Sequence, residues 1–374
     1  MRLALRLARR GYGMTSPNPM VGAVLVKGGK IIGRGWHRRA GLPHAEIEAL
    51  HETQKHGQNS KGATLYVTLE PCSTHGRTPP CTDAIIAAGI KRVVIGATDP
   101  NPKHSGRGFR ILRRAGIEVV RGILADECVE LNEAFNHWIV HRTPFVMVKA
   151  AMTLDGKIAT ASGKSKWITG EIARAYGIKL RQGADAVLVG INTILADDPS
   201  LTARAKIEGG RWKMAKPIRR IVLDSMARTP LNAKIVSDEF TALTTIIVSK
   251  AAPKNRVVAL AKRANVIVAP TTLVGRAVPN APYRIDLNWV LKRLGSENVT
   301  GLLAEGGGEV NASFLLGGFT QRVVFFYAPK ILGGRDSRKA VAGEGASNLA
   351  EALQLREVEW EKIGSDLMMT ALVT

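Results

Sequence analysis

Cysteine is scarce in this chain, and long hydrophobic runs are missing from it. Three cysteines among 374 residues are too few and too unevenly placed to form a disulfide framework, which leaves metal binding or burial as their roles. No stretch reaches the roughly 20 apolar residues that a membrane span requires, and no cleavage pattern follows Met1. We therefore expect a cytoplasmic protein with no membrane partner.

Histidine and cysteine are both absent after residue 141. This absence excludes metal chemistry based on nitrogen and sulfur ligands from the later and larger part of the chain. That part must work through carboxylates, hydroxyls or a bound cofactor.

Acidic residues are outnumbered, because 53 Lys and Arg stand against 31 Asp and Glu and give a formal net charge of +22. The excess is spread evenly along the chain, and no basic block or aromatic-laced basic run of the kind that binds nucleic acid is present. We expect a basic soluble protein with a phosphorylated small-molecule partner and no nucleic-acid partner.

Two domains are expected from the length, because one hydrophobic core seldom organises 374 residues. The breaker Arg142-Thr-Pro144 precedes an apolar run and places the boundary between domains 1–143 and 144–374. In both parts strands alternate with helices, an order typical of α/β folds.

The individual elements follow from hydrophobic periodicity and turn residues. Strands are predicted at 21–26, 30–36, 64–69, 92–97, 145–149, 186–190, 220–223, 245–248, 266–268, 302–304 and 323–327. Helices are predicted at 3–7, 44–56, 81–88, 127–138, 171–182, 287–294 and 309–316. Segments 206–217 and 269–282 carry neither signal and are expected to be loops.

One histidine and two cysteines form the strongest chemical pattern. His44-Ala-Glu46 is followed by Pro71-Cys72 and by Cys81, so one imidazole and two thiolates could occupy three positions around a tetrahedral zinc. The fourth position would be open to water, as in catalytic zinc sites. Glu46 is not needed as a ligand and is placed to move a proton between that water and a substrate.

The alternative is two buried cysteines and an unrelated surface histidine. Local context favours zinc, because Cys72 follows a predicted strand and Cys81 follows two prolines at a predicted helix start, where exposed N–H groups favour the thiolate. Cys128 lacks such a context and is expected to be a small buried hydrophobic residue.

Three motifs carry a family resemblance: Pro17-Asn-Pro-Met-Val-Gly22, His37-Arg-Arg-Ala-Gly-Leu-Pro-His-Ala-Glu46 and Glu70-Pro-Cys-Ser-Thr-His-Gly-Arg-Thr-Pro-Pro-Cys81. They resemble the deaminase domain of the bifunctional riboflavin-biosynthesis deaminase/reductases, which has a three-layer cytidine-deaminase-like fold. Related tRNA and cytidine deaminases have a shorter PCxxC motif, whereas eight residues separate the two cysteines here. The resemblance implies zinc on His44, Cys72 and Cys81, and proton transfer by Glu46. Thr74 departs from the family pattern, which often has histidine there.

The second part contains a glycine-rich turn, Glu305-Gly-Gly-Gly308, between a predicted strand and a predicted helix. Such a turn presents N–H groups and a helix N-terminus to an anion, although the run lacks the GxGxxG pattern of dinucleotide-binding folds. The residues alone support a phosphate site and a simple tight turn about equally.

Further segments resemble the reductase domain of the same family, which has a dihydrofolate-reductase-like fold: 149–157, 165–169, 190–204, 224–225 and 328–334. The resemblance implies NADPH, bound by Ala151, Trp167, Thr193, Asp197, Ser225, Gly307, Gly308, Glu309, Val310, Asn311, Ala312 and Ser313. It implies substrate contacts from Ser165, Arg181, Leu201, Arg204 and Glu305. Physically, the two arginines could clamp a phosphate in bidentate fashion, and Trp167 offers a flat apolar face.

The leading interpretation is a two-step enzyme of riboflavin biosynthesis, active as a homo-oligomer of two or four chains. The resemblance implies deamination of 2,5-diamino-6-ribosylamino-4(3H)-pyrimidinone 5′-phosphate, then NADPH-dependent reduction of the ribosyl side chain to give 5-amino-6-ribitylamino-uracil 5′-phosphate. A nucleic-acid (tRNA) editing deaminase with an appended binding domain is one alternative, and a scaffold in which one half has lost its chemistry is another. The long segment between the cysteines opposes the first, and the intact His44-Ala-Glu46 and Asp197 oppose the second.

Overall fold

The chain divides into two compact units, Met1–Arg142 and Thr143–Thr374. The structure, a computed structural model, describes residues 1–74, 79–206, 212–272 and 284–374, and for 204–206 and 212–215 it describes the backbone only. Within these ranges no helix combines the length and the apolar character that a membrane crossing would need.

The first unit is an α/β layer built on one sheet. Its strands are β1 (Gly22–Lys27), β2 (Lys30–Trp36), β3 (Thr64–Leu69), β4 (Arg92–Ala97) and β5 (Glu118–Arg121). Its helices are α1 (Arg2–Ala8), α2 (Ala45–Lys55), α3 (Cys81–Ala87), α4 (Arg107–Arg114), α5 (Ala125–Glu130) and α6 (Glu133–His141). The strand order is β2-β1-β3-β4-β5, in which β1 runs antiparallel to β2 and β3 while β3, β4 and β5 are parallel.

Close packing of α2 on the sheet fixes where that helix begins. Ala45 and Ala49 of α2 are fully buried in the core of this unit. On β2, a Cβ at Gly35 would collide with the carbonyl oxygen of Ala45, so only glycine allows this approach. The N-terminus of α2 is thereby held against the sheet, with His44 as its N-cap residue.

The second unit is built on one long sheet. Its strands are β6 (Phe145–Thr153), β7 (Lys157–Ala159), β8 (Ala186–Gly190), β9 (Ala203–Lys206), β10 (Trp212–Lys216), β11 (Arg219–Leu223), β12 (Thr244–Ser249), β13 (Asn265–Ala269), β14 (Thr271–Thr272), β15 (Arg284–Ile285), β16 (Gly301–Ala304), β17 (Arg322–Ala328), β18 (Arg338–Lys339), β19 (Leu355–Ile363) and β20 (Asp366–Val373). Its helices are α7 (Glu171–Gly183), α8 (Ile191–Asp197), α9 (Lys234–Ser237), α10 (Lys254–Ala261), α11 (Leu287–Ser296) and α12 (Gly308–Leu316).

The long sheet, over the described residues, has the order β13-β12-β11-β8-β16-β6-β17-β20-β19. Neighbours from β13 to β17 are parallel, and β20 pairs antiparallel with both β17 and β19. The side chains of β8 point alternately to the two faces of the sheet. Ala186 and Leu188 pack in the core on one face, and Val187 and Val189 pack in the core on the other. The carboxyl ends of the parallel strands meet at one edge, where ligands bind in open α/β sheets.

One predicted helix is divided in the structure. The helix expected at 127–138 is broken into α5 and α6, with Asn132 between them at φ −120°. The Asn132 side chain accepts a hydrogen bond from the Met20 N–H (2.7 Å) and donates one to the Met20 carbonyl (2.9 Å). These two bonds to a distant segment hold Asn132 out of the helical conformation.

The expected loops are partly strands. Of the segment 206–217, the residues 212–216 and Lys206 belong to the hairpin β9–β10. In 269–282, Ala269 is the last residue of β13 and Thr271–Thr272 pair with β15. The expectation of loops was wrong for these residues, because backbone pairing can form a hairpin without apolar alternation. Residues 207–211 and 273–283 lie outside the described residues.

Candidate active sites

The three expected metal ligands come together in the first unit. His44 precedes α2, Cys81 is the first residue of α3, and Cys72 follows β3. His44 Nδ1 lies 3.3 Å from Cys81 Sγ and 3.5 Å from Cys72 Sγ, and all three atoms lie within 4.8 Å of one another. Tetrahedral zinc with bonds of about 2.3 Å to sulfur and about 2.0–2.1 Å to nitrogen separates such atoms by about 3.6 Å. The donor set and its spacing therefore fit zinc.

The two thiols differ in protonation when only protein groups act on them. Hydrogen bonding from Cys81 lowers the pKa of Cys72 to about 4, assisted by His44. The Cys81 N–H also donates to Cys72 Sγ at 3.3 Å. The pKa of Cys81 is raised by the same hydrogen bond and by burial. With protein groups alone, the proton shared by the two sulfurs therefore stays on Cys81, because a negative Cys72 sulfur lies beside it. That both are thiolates with zinc bound stays a prediction.

Glu46 lies in the first turn of α2 and is only 3% exposed. Burial raises the pKa of its carboxyl to about 7, and the neighbouring charges of His44 and Cys72 act on it in opposite directions. Its side chain also interacts with Cys81 by a hydrogen bond. The carboxyl thus faces the same space as the three ligand atoms and is shielded from bulk water.

His37 and Asn18 form a polar pair beside the three candidate ligands. The His37 ring meets the His44 ring edge-on at a centroid distance of 5.2 Å. Its Nδ1 lies 3.1 Å from the Pro43 carbonyl and its Nε2 lies 3.1 Å from Asn18 Nδ2. Since a carbonyl only accepts and an amide nitrogen only donates, His37 is neutral with its proton on Nδ1. Burial, which lowers the pKa of His37, agrees with this state.

A charged triad lies at the edge of the second sheet. Glu305 follows β16 and accepts two hydrogen bonds from the Arg181 guanidinium, at 2.7 and 2.8 Å. Lys149 Nζ lies 3.8 Å from the same carboxylate. Burial opposes ionisation of Glu305, but Arg181 and then Lys149 outweigh it and hold its pKa at about 2. Arg181 Nη1 also donates to the Thr202 carbonyl. The expected clamp on a phosphate would need these guanidinium donors, which Glu305 and Thr202 occupy in this structure.

Two further expected residues meet directly. Ser165 Oγ donates to the Asp197 carboxylate at 2.9 Å, and Lys166 Nζ lies 3.9 Å from the same group. Ser165 and Lys166 also line a cleft of ≈ 340 Å³, together with Thr153, Thr160, Lys164, Trp167, Ile168, Lys330, Ile331 and Leu332. The structure thus brings Ser165, Trp167 and Asp197 to one place.

The glycine-rich turn does begin a helix. Gly307 is the N-cap residue of α12, and a Cβ on it would meet nothing within 4 Å, so its backbone is open. The first N–H groups of a helix have no intrahelical partner and can bind an anion. Asn311 and Ser313 point elsewhere, because their side chains donate to the carbonyls of Ala340 and Glu309. The backbone at Gly307 is therefore open to an anion such as a cofactor phosphate, whereas the flanking glycines are closely packed.

The remaining expected residues are spread over several elements. Ala151 is half-buried on β6, Thr193 is on α8, and Ser225 follows β11. Leu201 is buried and has a φ of 49°. Arg204 is on β9, and its side chain lies outside the described part of the chain.

Three residues of these sites received no role from the sequence. Lys149 interrupts the apolar run of β6. A lysine within such a strand was the available sign of a functional role. Asn18 and His37 stand inside quoted motifs but lie 26 and 7 positions before His44, so spacing alone gave them no role.

Comparisons with known proteins cover both units. Residues 1–97 match the family described as the cytidine and deoxycytidylate deaminase zinc-binding region, and residues 144–369 match the RibD C-terminal domain. The riboflavin biosynthesis protein RibD of Aquifex aeolicus is 44% identical over 369 residues, covering 99% of this chain and 96% of that protein. The same protein of Actinobacillus pleuropneumoniae is 42% identical over 375 residues, covering 100% and 94%.

Solved structures agree with the sequence matches. RibD of Acinetobacter baumannii has a TM-score of 0.84 and 34% identity, covering 100% of this chain and 97% of that one. A diaminohydroxyphosphoribosylaminopyrimidine deaminase/5-amino-6-(5-phosphoribosylamino)uracil reductase of Thermotoga maritima has a TM-score of 0.80 and 35% identity, with the same coverage. The expected α/β fold class, a cytidine-deaminase-like domain followed by a reductase domain, is confirmed, and a tRNA-editing deaminase is not favoured. The chain belongs to the RibD family of riboflavin-biosynthesis enzymes, in which a zinc-dependent deaminase is joined to an NADPH-dependent reductase.

Proposed function

We propose that His44, Cys72 and Cys81 hold the zinc of the deaminase and that Glu46 moves its protons. The observation that carries this assignment is the convergence of one nitrogen and two sulfur atoms within 4.8 Å. Bound zinc supplies a Lewis acid that makes water reactive near neutral pH. Glu46 would take one proton from the attacking water and give it to the ring nitrogen of the pyrimidine, and would then carry the second proton of that water to the departing amine. Its burial favours return of the proton to the substrate over loss to solvent.

Ser165, Arg181, Leu201, Arg204 and Glu305 form the proposed substrate site of the reductase. NADPH supplies the hydride and would be held by Trp167, Asp197, the other cofactor residues named above and the open turn at Gly307. Arg181 and Lys149 keep Glu305 ionised and fixed in direction, so its carboxylate can accept hydrogen bonds from hydroxyls of the ribosyl side chain.

Glu305→Gln tests the reductase assignment. We expect kcat/KM for reduction of the deaminated intermediate to fall about ten- to hundredfold, because hydrogen bonds to charged groups contribute about 1.5–3 kcal/mol. Deamination by the same variant should continue, and both activities are measured on one preparation. Glu297→Gln, which loses ion pairs with Arg219 and Arg293 in the same unit, is the matched control. Equal loss of both activities in Glu305→Gln would indicate a folding defect instead.

The two units are proposed to be chemically separable domains, divided at residues 143–144. A fragment 144–374 contains the long sheet and both of its cores, so it should fold alone. It is expected to oxidise NADPH with the deaminated intermediate, at a rate that a metal chelator does not change. NADPH absorbance is followed in both conditions. A folded fragment that stays inactive until residues 1–143 are restored would show that the sites are shared.

A cytoplasmic homo-oligomer of two or four chains completes the proposal. Reduced thiols as ligands suit a reducing compartment. Strand β19 is an edge of the sheet in the described chain, and Leu355 to Lys362 are all exposed, Val358 and Trp360 among them. An edge strand carries unpaired N–H and C=O groups that can pair with another chain. A monomeric mass in light scattering would contradict this part.

A further inference from the structure

The cleft of the second unit has two walls with exposed apolar side chains. Trp167 and Ile168 line one wall, and Ile331 and Leu332 line the other. Trp167 is 65% exposed and Ile331 is 78% exposed. The volume of ≈ 340 Å³ lies within the range of about 300–1,000 Å³ that is usual for small-molecule sites. The cleft therefore offers apolar surface to a ligand.

Lys330 connects the two walls. It lies just before Ile331, and its Nζ donates to the Trp167 carbonyl at 3.0 Å and to the Ile168 carbonyl at 2.6 Å. Both bonds come from a charged donor, which makes them stronger than neutral hydrogen bonds. They involve backbone oxygens, so they constrain the chain that carries the indole ring.

The wall that carries Lys330 is itself fixed to the turn between β6 and β7. The Leu154 N–H donates to the Lys330 carbonyl at 2.8 Å. The Asp155 carboxylate accepts hydrogen bonds from the N–H groups of Leu332 (3.0 Å) and Gly333 (2.8 Å). The wall with Lys330 is thereby anchored at the end of β6, a strand of the main sheet. The hydrogen bonds from Lys330 to the opposite wall then fix that wall relative to β6.

The indole ring of Trp167 has one occupied face. The Arg174 guanidinium carbon lies 4.6 Å from the ring centroid, and its Nη1 donates to the Thr169 carbonyl at 2.8 Å. A cation over one face leaves the other face for a flat ring. Arg174 thus holds the ring of Trp167, and Lys330 holds its backbone.

We propose that Lys330 is a positioning residue of the reductase, which sets the separation of Trp167 from Ile331 so that the cleft accepts the flat nicotinamide ring of NADPH. This inference rests on the proposed role of Trp167 in holding NADPH. Lys292 is an exposed lysine of α11 and is not part of the cleft lining. It provides a matched control for the loss of one lysine charge in the same unit.

Lys330→Met in the full-length chain tests the inference. The Kd for NADPH, measured by equilibrium titration without the second substrate, and the KM for NADPH in the reduction of the deaminated intermediate should both rise about five- to tenfold, as expected for losing one or two charge-assisted hydrogen bonds. The kcat should stay within about twofold, because the loss affects binding of the ring and not the chemical step. Lys330→Arg should restore most of the affinity, since arginine can also donate to two carbonyls. Lys292→Met should leave all of these parameters unchanged.

Three outcomes overturn the inference. An unchanged KM in Lys330→Met, or an equal rise in Lys292→Met, would show that hydrogen bonding to the Trp167 segment does not set affinity. A rise that Lys330→Arg does not reverse would show the same. Trp167→Ala separates this failure from that of the proposed function, because an unchanged KM there removes the role of Trp167 itself. A raised KM in Trp167→Ala with an unchanged Lys330→Met removes only the role of Lys330.

Discussion

Replacing Cys81 by serine is expected to remove zinc and deamination together. A hydroxyl is a poor substitute for a thiolate as a zinc ligand, and His44 with Cys72 would leave only two ligands. Changing even the partners that orient a metal ligand costs about 10- to 100-fold, so loss of a ligand should reduce turnover by more than about a hundredfold. The measurements are zinc content by elemental analysis and release of ammonia from the pyrimidine substrate.

Two controls make this result specific. Cys128→Ala removes a buried thiol of the same unit that lies outside the ligand cluster, so it should retain zinc and deamination. Reduction of the deaminated intermediate by Cys81→Ser reports on the other unit in the same sample and should persist. Stoichiometric zinc with full deamination in Cys81→Ser would remove the site assignment.

The strands of the cores could be predicted because their sequences are almost uninterrupted apolar runs. Residues 64–69, 92–97 and 186–190 form strands with the expected bounds. Strand β19 could not be predicted, since a bulge between Arg356 and Glu359 interrupts its alternation and Glu357 has a φ of 50°. Helix α4 could not be predicted either, because Phe109 and Leu112 are its only large buried side chains and two residues are too few to show helical periodicity.

The metal ligands could be predicted because cysteine and histidine are rare and their neighbours constrain them. The pairing within the reductase triad could not be predicted, since Arg181 and Glu305 are 124 positions apart and only the fold joins them. Arg220 shows the same limit. It is fully buried, and Asp238, Thr244 and two carbonyls satisfy its guanidinium, which no local pattern indicates. Long-range polar pairing depends on topology, which periodicity does not reveal.

Glu46→Gln separates proton transfer from metal binding. The amide keeps the size and hydrogen bonding of the carboxyl but cannot accept a proton, so turnover should fall by about two orders of magnitude or more. Zinc content should stay at that of the unchanged chain, because His44, Cys72 and Cys81 all remain. The assay pairs elemental analysis with ammonia release, and it includes reduction of the deaminated intermediate as the internal folding control.

Glu48→Gln is the matched control for this experiment. It lies two residues further along α2, and its ion pair with Arg38 is partly exposed, so both activities should be retained. The comparison is informative because Glu46 is buried among the ligand atoms, whereas the Glu48 side chain is 21% exposed and paired with Arg38. If Glu46→Gln loses zinc as well as turnover, the carboxyl stabilises the site instead of moving protons. If it keeps both zinc and turnover, another group transfers the proton, and His37, whose ring contacts that of His44, becomes the residue to change next.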